Sequence, residues 1–176
     1  DNIIASNTNV TADGTTYYAV WASTGESAPI EYTATYGFED GDFGWTVTNI
    51  NKYSDYKASG SNSGKCADNG SGTIKTPNTI EYSAQLGTPV SISFKSSKSS
   101  TNTTSSNYWA VQYSSNKSTW TNLPNGAGPN HANLTKGTFT DFEVDLTSLS
   151  NVYIRITHNG SSPATLLDDV KLVYKI

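Results

Sequence analysis

An apolar alternation of period two is the strongest constraint on what this chain can become. Over Thr88–Lys95, Val90, Ile92 and Phe94 alternate with small polar side chains, which is the spacing of a half-buried strand. It recurs at Trp109, Val111 and Tyr113, at Phe142, Val144 and Leu146, at Val152, Ile154 and Ile156, and at Val170, Leu172 and Tyr174. Ser96–Asn107, Pro124–Asn133 and Asn159–Pro163, rich in Ser, Thr, Asn, Gly and Pro, separate these runs and read as turns and loops. Apolar residues nowhere keep an i, i+3, i+4, i+7 pattern through several turns, so almost no helix is expected. The predicted class is all-β, an antiparallel β-sandwich.

Composition removes several functions. The 176 residues carry 11 Lys+Arg against 15 Asp+Glu, a net charge of −4, and no basic run, which excludes nucleic acid as the expected partner. No apolar stretch is long enough to span a bilayer, so membrane insertion is not expected. A single cysteine, Cys66, forbids an intramolecular disulfide and reads as a small buried hydrophobe. The two histidines, His131 and His158, cannot assemble a Cys/His zinc site and read as surface or loop hydrogen-bonding groups.

The N-terminal stretch has its own character. Asp13-Gly14 is a turn dipeptide, Thr15–Ala22 (TTYYAVWA) is a dense aromatic and β-branched strand, and Ser23–Pro29 has linker composition. The boundary falls near Ala28, giving an N-terminal strand segment over residues 1–28 and a main domain over 29–176. The first piece is too short to own a core, so Trp21 and Tyr17 or Tyr18 are expected to pack on the main domain or on a neighbour. TTYYAVWA resembles the last strand of the Listeria–Bacteroides type of β-grasp repeat, which implies a bacterial surface protein larger than this chain.

Within the main domain, Tyr36–Trp45 (YGFEDGDFGW), Gly64–Pro77 (GKCADNGSGTIKTP) and Leu167–Tyr174 (LDDVKLVY) occur in order, with Tyr108–Leu123 (YWAVQYSSNKSTWTNL) between the last two. Together they resemble jelly-roll modules of the galactose-binding-like superfamily, the group of many bacterial carbohydrate-binding modules and cleaved-adhesin domains. The resemblance spans about residues 30–176 and implies a β-sandwich of jelly-roll topology.

Asp168 carries a chemical clue. If Val170, Leu172 and Tyr174 point inward, strict alternation places Asp168 on the same inward face. A buried carboxylate costs several kcal/mol unless paired or bound to a cation. In the resembling modules the opening Glu and the closing Asp share a structural calcium with main-chain carbonyls, so the resemblance implies Glu39 and Asp168 as calcium ligands. Asp40 and Asp42 lie in the same opening turn, and Asp169 faces outward and is only a further candidate ligand. The alternative is that Asp168 accepts backbone N–H bonds with no metal.

No catalytic constellation stands out. Asp141 and Glu143 share one face of Phe139–Leu146, with Asp145 read on the other, and are taken as solvated outward residues rather than an acid/base pair. No nucleophile elbow or phosphate-binding loop occurs. Sugar recognition instead needs flat aromatic faces beside amides and carboxylates. Trp45 and Trp109 fall at core positions. Trp120 follows a hairpin turn between polar neighbours, Tyr153 and Arg155 occupy the outward face of Asn151–Thr157, and Tyr53 and Tyr56 lie in a loop after the opening strand. These five are the candidate ligand-binding residues. The expected function is a non-catalytic, calcium-stabilised, extracellular carbohydrate-binding module, monomeric within a larger bacterial secreted or surface protein, whose partner is a polysaccharide. The alternatives are an adhesin domain binding a host surface protein and a structural spacer.

Overall fold

The computed structural model describes residues 10–12, 15–17, 28–39, 41, 44–67, 74–101, 106–160 and 165–176. Asp40 and Asp42 of the opening turn, and Tyr18 and Trp21 of the N-terminal segment, lie outside the described residues, as does the side chain of Tyr17. Strands β1 (Val10–Ala12) and β2 (Thr15–Tyr17) pair with each other in a two-stranded sheet. The remaining strands are β3 (Glu31–Tyr36), β4 (Trp45–Thr48), β5 (Ile50–Tyr53), β6 (Ser63–Cys66), β7 (Thr79–Tyr82), β8 (Thr88–Lys98), β9 (Trp109–Ser114), β10 (Thr121–Ala127), β11 (Thr140–Asp145), β12 (Tyr153–His158) and β13 (Thr165–Lys175). They form a five-stranded sheet in the order β10-β9-β12-β7-β4 and a six-stranded sheet in which β11-β8-β13-β6-β5 run in order while β3 also pairs β13. All the pairings are antiparallel. The helical content of the described residues is one 3-10 turn, His131–Asn133. This is the antiparallel β-sandwich that the alternation predicts.

The inward set of each strand is the apolar set. Ile154 and Ile156 of β12, Val111 and Trp109 of β9, Ile80 of β7 and Trp45 of β4 face Ile92 and Phe94 of β8, Val144 of β11 and Leu172 of β13 in one core. Each fully buried Ile or Leu contributes roughly 1.5–3 kcal/mol of burial. Trp45 meets Tyr82 edge-on at 5.1 Å between ring centroids. Cys66 is buried, and desolvation pushes its thiol well above the usual range, consistent with an inert packing role.

Four readings are corrected. Pro124–Asn133 is not loop throughout, because β10 continues to Ala127. It is the outermost strand of its sheet, where a proline costs no ladder bond, and its pairing with β9 slips between Asn122 and Ala127. Asp145 shares the exposed face of Asp141 and Glu143 rather than opposing it, because it pairs Ser91 in the same alternation. His131 and His158 are buried, not superficial. Finally, Asp168 is buried by a different route. Leu167 and Val170 both belong to the core, three residues apart, so the alternation breaks between them. The ladder with β8 shifts between Asp168 and Lys171, and Asp169 takes φ 46°. This bulge pairs Asp168 with Lys95, on the sheet's outer side, where residues 58–59 cover it.

Candidate functional site

Antiparallel pairing turns single outward residues into rows. On the five-stranded sheet the register aligns Thr46, Glu81, Arg155, Gln112 and Asn122, one from each of β4, β7, β12, β9 and β10. The adjacent row is Thr48, Thr79, Thr157, Ala110 and Ala127. Each polar residue of the first row sits beside inward neighbours, as Gln112 does beside Val111, and so must point out. Tyr153 lies opposite Ser114 on the far side of the polar row.

The side chains of this face form one connected set. Asn122 Oδ1 accepts from Gln112 Nε2 at 2.8 Å, and Gln112 Oε1 accepts from Arg155 Nε at 2.7 Å. The Arg155 guanidinium lies 4.2 Å from the centroid of the Trp120 ring, a cation–π contact. Trp120 is held in turn by its indole N–H, which donates to the Lys117 carbonyl at 3.1 Å. The β9–β10 turn aims Lys117 back at the sheet, where its Nζ pairs with Glu81 at 2.9 Å and sits 4.7 Å from the Tyr153 centroid. Lys117 has φ 61°, and the turn is closed by Ser114 and Asn116 accepting backbone N–H bonds. Burial lowers the Arg155 pKa, a pull that Glu81 opposes. Trp120, Tyr153 and Arg155 are therefore brought together. Gln112, Glu81 and Thr46 were not singled out from the sequence. Their signal was present, since each is the polar member of an apolar alternation, but only the register shows that they align.

Tyr53 and Tyr56 are not part of this face. They belong to β5 of the other sheet and the loop behind it, 6.2 Å apart between centroids, with Lys65 over Tyr53 and Lys136 over Tyr56.

Glu39 and Asp168 converge on the loop between β5 and β6. Glu39 Oε1 accepts the N–H groups of Ser61 and Asn62 at 2.7 and 2.9 Å, which hold its carboxyl below the usual range. Gly60, at φ 60°, leaves room for that carboxylate, since a Cβ there would overlap Oε1. Asp168 is fully buried and accepts from Ala58 N at 2.8 Å, from Ser59 N and from Asp169 N, yet desolvation still raises its pKa. Asp169 faces away, pairing Lys95 at 3.0 Å and accepting from Ser59 Oγ. The donors at hand are hard oxygens, and the Asp168 carboxylate has no ion-pair partner among the described residues. Both facts suit calcium. All four carboxylate oxygens of the pair nevertheless accept N–H bonds, Glu39 Oε2 from Asn62 Nδ2 at 3.3 Å, which is the metal-free arrangement that the sequence left open for Asp168. Among the described residues no third His, Cys, Asp or Glu joins them. Main-chain carbonyls of the 54–62 loop would have to complete a shell.

Asp141 and Glu143 are exposed on the six-stranded sheet. With Lys95, Lys171 and Asp169 they line an open groove of about 540 Å³. They are solvated outward residues of an amphipathic strand, with opposite charges beside them in that groove.

No family model and no curated protein sequence matches this chain. Solved structures do. The xylan-binding domain CBM22-1 of Paenibacillus barcinonensis Xyn10C is similar at a TM-score of 0.57 and 13% identity, covering 85% of this chain and 98% of its own. The K1 cleaved adhesin domain of Lys-gingipain from Porphyromonas gingivalis W83 gives a TM-score of 0.57 and 19% identity, covering 80% and 97%. The C-terminal family 22 carbohydrate-binding module of Clostridium thermocellum Xyn10B gives 0.55 and 12%, covering 81% and 92%. The fold is therefore the jelly roll common to these modules, as the ordered motifs imply.

Proposed function

We propose that this domain is a non-catalytic carbohydrate-binding module of an extracellular protein, holding a glycan on the outer face of its five-stranded sheet. The observation that carries this reading is the convergence there of Trp120, Tyr153 and Arg155 with the amides of Gln112 and Asn122. Aromatic surface beside fixed planar amides is what sugar recognition requires. The similarity to a xylan-binding domain supports the class without naming the sugar. A structural calcium between Glu39 and Asp168 is part of the proposal, as is a monomeric place in a longer secreted or surface chain.

Native affinity electrophoresis through plant, microbial and mucin polysaccharides tests it. Retardation by one glycan class is expected, and Trp120→Ala or Tyr153→Ala should weaken it severalfold with the melting temperature little changed. Undiminished retardation in both variants would move the site elsewhere. A protein-binding adhesin is the second reading, favoured by the likeness to cleaved adhesin domains and by the exposed Ile30, Tyr32 and Ile176 at one edge of the sandwich. It gains if no glycan retards the domain.

A further inference from the structure

The geometry points to an acidic glycan as the ligand of this face, with a uronate carboxylate seated on the Arg155 guanidinium. This inference rests on the glycan reading of the same surface and names its substrate class.

It begins with charge. The paired rows of the face contribute one acid, Glu81, and one base, Arg155, and the β9–β10 turn adds Lys117. Glu81 is engaged by Lys117 at 2.9 Å. Arg155, half-buried, has no carboxylate in ion-pair contact among the described residues. A chain of net charge −4 thus keeps a local excess of one positive charge here.

Donor geometry agrees. Of the guanidinium's donors only Nε is used, by Gln112 Oε1 at 2.7 Å. Its two terminal amino groups make no hydrogen bond to the described residues, and they are the fork that grips a carboxylate through two parallel bonds. The fork is also held in place. The Trp120 ring lies beneath it at 4.2 Å, and Asn122 orients the Gln112 amide so that its oxygen meets Nε. A pre-set donor pair loses little freedom on binding.

The aromatic faces point the same way. Arg155 covers one face of Trp120, and Lys117 covers one face of Tyr153 at 4.7 Å. On those faces the rings carry a cation, which sets a donor for an anionic group beside the aromatic surface. An acidic peptide would satisfy the charge, but the rest of the face is hydroxyl and amide, from Thr46, Thr48, Thr157, Gln112 and Asn122. Those groups match a hydroxyl-rich ligand.

Calorimetric titration of the whole chain with hexuronate oligosaccharides, their carboxyl-reduced counterparts, neutral xylan oligosaccharides and poly-glutamate tests the inference. The acidic oligosaccharide should bind, and reduction of its carboxyls should weaken binding by about tenfold or more, as expected for a charge-assisted pair. Arg155→Gln should lose the same factor at an unchanged melting temperature, while Arg155→Lys should recover part of it. Equal binding of acidic and reduced forms overturns the acidic assignment and leaves the glycan reading standing. No binding to any saccharide removes both. Poly-glutamate binding as tightly as the oligosaccharide overturns the inference in favour of a protein partner.

Discussion

At the residue scale, Asp168 is the group with the most at stake. Its carboxylate is the acceptor for the Ala58 and Ser59 N–H groups, so Asp168→Ala orphans them and should cost about 1–3 kcal/mol, read as a lower melting temperature. Burial raises its pKa, so the folded state holds the proton more tightly than the unfolded chain does. Without metal, its contribution is therefore largest in acid and is lost as pH rises from about 3.8 through the raised value. A bound calcium would reverse that sign by favouring the ionised form. Adding calcium at neutral pH should raise the melting temperature of the native chain and leave Asp168→Ala unmoved; an identical native melt in calcium and in chelator would remove the metal. Burial of Asp168 was legible, but its cause was not. Two adjacent aspartates give no sign of the bulge, which alternation alone cannot foresee because it is a break in alternation. His131 and His158 were misread for a related reason, since a histidine carries no apolar pattern to mark it as interior.

At the element scale, the strands with a clean two-residue period were legible, because an inward Ile or Val at every second place admits one phase. Strand β6 was legible through its resemblance to a small-residue strand rather than through alternation, and the end of β10 was not legible at all, because these residues are small, polar or turn-forming and owe their extension to neighbours. In β6 the small residue is itself required. A Cβ on Gly64 would overlap the Phe38 ring and press on Ile50 Cγ2 at 2.9 Å, and Phe38 is buried. Gly64→Ala should destabilise the domain by about 1–3 kcal/mol, measured as a shift in the denaturant midpoint with unchanged slope. An unaffected midpoint would show that Phe38 can leave its seat freely. The candidate site was half legible by the same rule. Outward aromatic and charged residues announce themselves singly, whereas the five-strand row appears only once register is fixed.

At the scale of the whole molecule, stability depends on how the two sheets are tied. His158 ends β12 of one sheet, and its Nε2 accepts from the Thr165 N–H that starts β13 of the other. Burial lowers its pKa from 6.5 to about 4. The folded state therefore resists the proton that the unfolded chain accepts, so its contribution is complete above pH 6.5 and is lost as pH falls toward 4. Fully expressed, that difference is on the order of 3 kcal/mol. Melting temperature should fall across this window, and His158→Gln should flatten the fall. An equally steep profile in the variant would assign the acid sensitivity to the carboxylates.

The edge of the sandwich at Ile30 and Ile176 has a mechanical meaning. Their backbones exchange reciprocal hydrogen bonds of 3.1 Å, and from there β3 and β13 run antiparallel through the Tyr32–Tyr174 stack to Tyr36 and Val170. A pull applied through these two residues loads the ladder one rung at a time, as a zipper is opened, rather than shearing all rungs at once. Strand β3 would peel away under modest tension while the five-stranded sheet, which shares no rung with it, stays out of the line of force.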